Sequence, residues 1–226
     1  ISNLIPGKYK ITISHIGYRI YQDTVDLTIN RSGKVFFLEP TMNYLDAAII
    51  SSVRAGDFTP TTFTNLKKEE ITQLDQSKDF PFLLNMTPST VISSDAGNGI
   101  GYTGIRVRGI DPTRVNVTVN GIPINDAESQ GMYWVNMPDI ASSTESVQIQ
   151  RGVGTSTNGS AAFGASVNIR TADLAQKEFT RMTLGAGSFN TQRLSLEYGT
   201  GRLKNNWAFQ LRGSLIKSDG FIDRAN

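Results

Sequence analysis

The chain of 226 residues contains no cysteine. Disulfides, iron–sulfur clusters, thiolate zinc sites and cysteine nucleophiles are therefore excluded. There is one histidine, His15, so no His-rich metal site can be assembled and a histidine-based triad has a single residue to draw on. His15 follows an alternating strand pattern and reads as structural. Basic and acidic residues number 22 and 20, a balance that leaves no electrostatic footprint for nucleic acid. No run of about 18 apolar residues exists to form a transmembrane helix, and no basic-then-apolar signal opens the chain. Lysine is missing between Lys78 and Lys177, where the cations are Arg106, Arg108, Arg114, Arg151 and Arg170. Arginine makes fixed, planar, bidentate contacts, whereas lysine suits a mobile, solvated face. The first residue is Ile1 rather than Met, and the chain is read as a piece of a longer one.

What is abundant is small and uncharged: 20 Ser, 22 Thr, 16 Asn and 21 Gly. Charged residues are 19%, below the roughly 25% of soluble domains. This composition suits strands, turns and wet interiors better than long helices. Residues 1–40 read as short strands: Tyr9, Ile11 and Ile13 alternate with polar residues, as do Val25, Leu27 and Ile29, and Val35–Leu38 makes a third run before Pro40. Three such strands bury too little alone and resemble the back half of a small β-sandwich. Residues 41–62 read as a linker, apart from Ala47-Ala48-Ile49-Ile50. That run is either an edge strand offered to a partner sheet or a last strand of the sandwich.

Residues 63–171 read as a mixed α/β unit. Leu66, Ile71 and Leu74 place a helix over Asn65–Leu74, and Pro81 opens a second over Asp79–Asn85 that stops at Thr87-Pro88. A glycine-rich loop, Asp95–Gly101, leads to a strand through Ile105 and Val107. Val115, Val117 and Val119 run into Asn120-Gly121 and out through Ile122 and Ile124, the strongest hairpin signal in the chain, because Asn-Gly supplies the two positive-φ positions of a type I′ turn. Ser142 and Glu145 fit either a capping box or a short turn. Strands follow through Val147 and Ile149 and over Val167–Thr171. Over residues 177–217, segments of about ten residues alternate apolar and polar, as in a transmembrane β-barrel. An ordinary half-buried sheet alternates in the same way; Trp207 and Phe209 at the head of one strand tip the balance towards a barrel.

Motifs for chemistry are weak. Gly99-x-Gly101-x-x-Gly104 matches a dinucleotide fingerprint as a string, but a strand follows it where the pyrophosphate needs a helix N-terminus. Ser214-x-x-Lys217 with Ser218-Asp219 lacks the Lys-Thr-Gly element of penicillin-binding serine enzymes. Asp126 and Glu128 near Tyr133-Trp134 have no electrophile or base network and read as a solvated loop. No enzyme activity, catalytic residue, metal site or cofactor is expected.

Five ordered segments carry a family resemblance: Asp79–Leu84 with Thr87-Pro88, Ile105–Gly109, Val117–Pro123, Glu145–Gly152 and Phe163–Ile169. Together they resemble the plug domain of TonB-dependent outer-membrane transporters, in the style common among Bacteroidota. Pro6–Tyr9 and Ile16-Gly17-Tyr18 resemble the end of the carboxypeptidase-regulatory-like sandwich that often precedes such plugs. The expected fold class is mixed: a β-sandwich tail over 1–40, a linker over 41–62, an α/β plug domain over 63–172, and the opening strands of a transmembrane antiparallel β-barrel over 173–226.

The resemblance implies an importer of a scarce or large substrate (ferric chelate, vitamin, peptide or glycan) in the cell outer membrane. A barrel of about 22 strands would enclose the plug, and residues 1–62 would be periplasmic. The implied partners are the periplasmic C-terminal domain of TonB, outer-membrane lipid, the imported small molecule or oligomer, and in some members a surface lipoprotein. Leu45, Asp46, Ala47, Ala48, Ile49 and Ile50 stand at the place of the TonB-coupling segment. Arg108 and Arg151 stand at the two arginine–glycine positions that lock the plug to barrel glutamates, in agreement with the lysine-free stretch. Outward plug loops match Ser94, Asp95 and Asn98, then Asp111 and Thr113, then Gln130, Tyr133 and Trp134. The two aromatics are placed to stack on a ligand or to pack against the barrel wall. Thr87-Pro88-Ser89, Asn120-Gly121 and Val153 depart from the commoner Pro-Gly, Asp-Gly and proline of the family. The contrasting reading is a non-transporting cell-surface binding or adhesion module, which predicts a soluble chain ending near Asn226.

Overall fold

The structure, a computed structural model, describes residues 5–15, 18–28, 35–39, 54–56, 59–75, 77–153 and 162–222. The chain divides into two units, Ile1–Ile49 and Ile50–Asn226. The coupling segment expected at Leu45–Ile50 lies outside the described residues.

In the first unit, β1 (Lys8–Ile13) pairs antiparallel with β2 (Tyr21–Asp26), from Lys8↔Asp26 to Ile13↔Tyr21. Tyr9, Ile11 and Ile13 sit on the half-buried face, as the alternation requires. The strand expected at Val35–Leu38 does not form a ladder. Val35 and Phe37 are 71% and 85% exposed, so little burial rewards pairing, and the segment is held by Arg19 N–H donating to the Glu39 carbonyl at 2.8 Å and by Phe36 beside Tyr21.

In the second unit, β3 (Thr62–Lys67) leads directly into α1 (Lys68–Leu74). The helix expected from Asn65 therefore starts three residues late. Asn65, Leu66 and Lys67 are extended because they complete an edge strand, pairing with Gln148, Val147 and Ser146. The Glu70 carboxylate then accepts the Lys67 N–H at 2.8 Å and starts the helix. A 3₁₀ turn over Phe80–Leu84 follows, with Pro81 in its first turn. The hairpin of β4 (Thr90–Ser94) and β5 (Thr103–Val107) brackets the glycine-rich loop. Then come β6 (Val115–Val119), β7 (Ile122–Pro123), β8 (Thr144–Arg151) and β9 (Ala165–Thr171). Asn120 and Gly121 turn the chain with φ of 51° and 82°, as the hairpin signal predicts. Of the two readings at Ser142, the short turn forms: a 3₁₀ segment over Ile140–Ser143.

These strands make a five-stranded sheet in the order β3-β8-β9-β6-β7, with β6 and β9 parallel and the rest antiparallel. One face is apolar. Val115, Val117, Val147, Ile149, Val167 and Ile169 pack with Ile71, Phe80, Leu84 and Trp134 in a dry core. The opposite face is polar and equally dry. Its cross-strand rows run Asn65–Gln148–Asn168–Thr118 and Phe63–Gln150–Ser166–Asn116. Gln148, Gln150, Asn168, Ser166, Thr118 and Asn116 are each at most 2% exposed. Side chains bond along the rows: Gln148 Nε2 to Asn65 Oδ1 at 2.8 Å, and Thr118 Oγ1 to Asn168 Oδ1 at 2.7 Å. An alternating strand with one solvated face would leave these groups in water.

Three long strands close the unit in sequential antiparallel order: β10 (Glu178–Gly187), β11 (Thr191–Thr200) and β12 (Gln210–Lys217). Their exposure is inverted relative to a soluble sheet. Met182, Leu184, Leu194, Leu196, Tyr198, Leu211 and Leu215 form the outer face at 42–75% exposure. Arg193, Ser195 and Glu197 lie on the other face at 6–9%. The period alone left barrel and sheet open; an apolar outer face with a polar inner face is the barrel pattern. The last strand begins at Gln210 rather than Trp207, and Trp207 and Phe209, both exposed, stack at 6.1 Å in the approach to it.

Candidate functional site

The two arginines expected to lock the plug come together at one corner. Arg108 and Gly109 turn the chain after β5 with φ of 53° and 73°, and the Arg108 N–H is held by the Ser89 carbonyl at 2.7 Å. A non-glycine residue there costs roughly 1–2 kcal/mol, so the position of this arginine is enforced by its neighbours. Arg108 Nη2 donates to Thr62 Oγ1 at 3.1 Å, and Arg151 Nη1 to Thr64 Oγ1 at 2.5 Å. A Cβ on Gly152 would stand 3.1 Å from Arg108 Nη1, so glycine leaves room for the guanidinium. Among the described residues no ion pair joins either arginine to a carboxylate.

The expected ligand-facing loops fall into two patches. Ser94, Asp95 and Asn98 lie at one end of the β4–β5 hairpin, and Asp111 and Thr113 follow its other end, five residues or about 17 Å away. Asn98 and Ser94 have structural work: Asn98 Nδ2 donates to Ser218 Oγ at 2.9 Å, and Ser94 Oγ accepts from Gly99 N–H at 3.0 Å. The second patch gathers around the start of β6. Asn125, which sequence reasoning passed over, bonds Val115, Val117 and Gln130 at 2.7–2.9 Å and brings Gln130 beside it. Its acids are closed on themselves. The N–H and hydroxyl of Thr113 hold the Asp111 carboxyl below the usual range, and those of Ser129 do the same for Asp126.

The two aromatics part company. Tyr133 is 46% exposed, whereas Trp134 is 2% exposed and stacks on Phe80 at 4.8 Å with an 11° interplanar angle. Trp134 is therefore a plug-core residue, on neither a ligand surface nor the barrel wall. The short 3₁₀ segment Trp134–Asn136 carries the ring at its first position and turns it inward, which local sequence does not signal. Phe80 also follows Asp79, whose carboxyl is pushed up by burial against the opposing bonds from Thr103 and Gly101.

The strongest electrostatic feature joins the plug to the strands around it. Asp139, 5% exposed with φ of 56°, accepts Arg193 Nη2, Arg212 Nη1 and Ser214 Oγ, each at 2.5 Å, and Ser142 Oγ at 2.8 Å. Arg193 also grips Asp75 through both Nη atoms at 3.0 Å, and Arg212 Nε reaches Ser143 Oγ at 2.8 Å. Lys68 Nζ donates to the Ser142 and Thr144 carbonyls at 2.9 and 2.8 Å, and burial pulls its pKa down. The polarity is the reverse of the lock expected at Arg108 and Arg151: here the arginines are on β11 and β12 and the carboxylates on the plug. Beside it lies a cavity of about 180 Å³ lined by Lys68, Asp75, Arg181, Arg193 and Glu197.

Comparison with known proteins agrees with this geometry. The family model described as TonB-dependent Receptor Plug Domain matches residues 57–166. The vitamin B12 transporter BtuB of Vibrio vulnificus is 27% identical over 199 residues, covering 88% of this chain and 28% of that transporter. The probable TonB-dependent siderophore receptor PirA of Acinetobacter baumannii is 27% identical over 162 residues, 67% and 21% of the two chains. The crystal structure of PirA superposes with a TM-score of 0.52 at 22% identity, over 70% of this chain and 24% of that one. The ferripyoverdine receptor of the outer membrane of Pseudomonas aeruginosa gives 0.54 at 16%, over 69% and 20%. These relatives are transporters and receptors, and the chain spans about a quarter of their length. Residues 57–166 match the plug domain of TonB-dependent receptors, and the proteins that the chain resembles on either side of that stretch are receptors and transporters of the same kind.

Proposed function

We propose that this chain is the plug-bearing part of an outer-membrane importer that takes up a scarce or large substrate with energy relayed by TonB. The observation that supports this most is the inverted exposure of β10–β12, whose apolar face points away from a plug clamped to their polar face through Asp139. Such strands gain from lipid on one side and from a fixed polar plug on the other. The matched relatives carry vitamin B12 and siderophores in their names, so a corrinoid and a ferric chelate are the first substrates to try. Leu45–Ile50 is the segment assigned to pair with TonB, Arg108 and Arg151 are assigned to barrel carboxylates, and Tyr133, Gln130, Asp111 and Thr113 form the patch assigned to the substrate. Catalysis has no part in this reading.

The test is Ile49→Pro in the full-length receptor. Proline removes a donor from an added strand, so energised uptake of radiolabelled cyanocobalamin or of an iron-loaded siderophore should stop while binding of the same compound to cells persists. Undiminished uptake by this variant would remove the coupling assignment.

A further inference from the structure

The chain approaches its sheet across the dry polar face. Arg54 Nη1 donates to Ser146 Oγ at 3.0 Å, and Nη2 to the carbonyls of Ser146 and Asn168 at 3.1 and 3.0 Å. Ala55, 6% exposed, is bound as a neighbouring strand would bind it, but by one side chain. Its N–H donates to Gln148 Oε1 at 2.7 Å and its carbonyl accepts from Gln148 Nε2 at 2.9 Å. A single primary amide thus satisfies both backbone groups of one residue. Both contacts fall on β8 and β9, the middle of the sheet, before the chain joins its edge at Thr62.

We infer that Arg54 and Ala55 form the seat through which a pull on the preceding chain enters the plug, with Gln148 positioned to hold that seat at rest and release it under load. The inference rests on the coupling reading above and adds the residues that transmit it. Three features favour release here over unfolding elsewhere. Lifting Arg54 and Ala55 frees the Gln148 amide, the Ser146 hydroxyl and the Asn168 carbonyl, all polar, and leaves the apolar core on the opposite face closed. Arg54 has only neutral acceptors among the described residues, and burial, then Arg170, pulls its pKa down to about 10, so its charge is better solvated once released. Ser166 Oγ and Asn168 Nδ2 are buried with no partner among the described residues, and water entering beneath a lifted strap would satisfy them. The strap is held by hydrogen bonds, and it sits on a surface that tolerates wetting.

The test uses the full-length receptor in cells and one engineered thiol, since these 226 residues have none. Ala55→Cys is exposed to N-ethylmaleimide in TonB-producing and TonB-deleted cells, and the mass of the peptide containing residue 55 is followed. In parallel, Ile49→Cys is cross-linked to a cysteine on TonB to report engagement. Alkylation is expected to be at least about tenfold faster with TonB than without. Adding Gln148→Ala should bring the TonB-deleted rate up towards the energised one, and Arg54→Ala should do the same if the first variant fails to reach the membrane. Cross-linking at residue 49 with equal alkylation in both strains would overturn the seat and leave the coupling reading standing. Unchanged alkylation in both variants would also overturn the seat. No cross-link at residue 49 would remove the coupling reading and this inference with it.

Discussion

Arg212 holds Asp139 at both ends: Nη1 reaches the carboxylate at 2.5 Å and Nη2 the backbone carbonyl at 3.0 Å. A strand whose other face is apolar and exposed thereby fixes a turn of the plug. The side chains of Asp139 and Arg193 are 3% and 6% exposed, so the pair works in a medium where an unmatched charge is expensive. Loss of one partner from such an arrangement costs about 3–5 kcal/mol.

Asp139→Asn is the cleanest way to test that seam, because asparagine accepts the left-handed backbone at this position. The variant should loosen the plug against the strands, with faster hydrogen exchange over residues 139–144 and over β11. Unchanged exchange in both segments would show that the plug is anchored elsewhere.

Trp134→Ala should cost the plug roughly 3–5 kcal/mol, the usual penalty for emptying a buried aromatic site, read from denaturant unfolding. Tyr133→Ala should leave stability nearly unchanged and alter ligand binding alone. Equal stability losses would contradict the separation of the two rings.

Asp79→Asn should stabilise the plug at neutral pH. Burial raises the folded-state pKa of Asp79 above its unfolded value, so the folded form prefers the neutral acid, and wild-type stability falls as pH rises through that window. The advantage of the variant should therefore be present at neutral pH and vanish below about pH 4, where the carboxyl is protonated folded and unfolded alike. A constant difference down to pH 3 would sink this assignment.

Gly164→Ala should destabilise the start of β9. Its Cβ would stand 2.8 Å from Ile110 Cγ2 and 3.1 Å from the Arg114 carbonyl, and overpacking of this kind costs about 1–3 kcal/mol. Thermal unfolding of the purified receptor reads it directly; an unshifted midpoint would mean that the loop has room to move.

Local pattern carried much of this architecture. Asn120-Gly121 turns where its side chains and positive-φ tolerance say it must, and Val115–Val119, Val147–Ile149 and Val167–Ile169 alternate into the sheet as written. The misreadings arose where tertiary pairing outweighed periodicity. Leu66, Ile71 and Leu74 share a helical period, yet Leu66 belongs to a strand because β8 offers it an edge. Gln148 and Gln150 alternate as surface residues do, and nothing within β8 tells that their face is covered. The seam was invisible for the same reason: Asp139 and Arg193 are 54 positions apart, and only closure of β10–β12 over the plug brings them together. The family resemblance points to Arg108 and Arg151, while the most buried ion pairs among the described residues join aspartates of the plug to arginines of the strands.

The most direct test of the importer account is the mass and heat-dependent mobility of the intact polypeptide in purified outer membranes. The account predicts a much longer chain that migrates faster unheated than heated, as a closed barrel does. A soluble chain ending near Asn226, with the same mobility under both conditions, would contradict it.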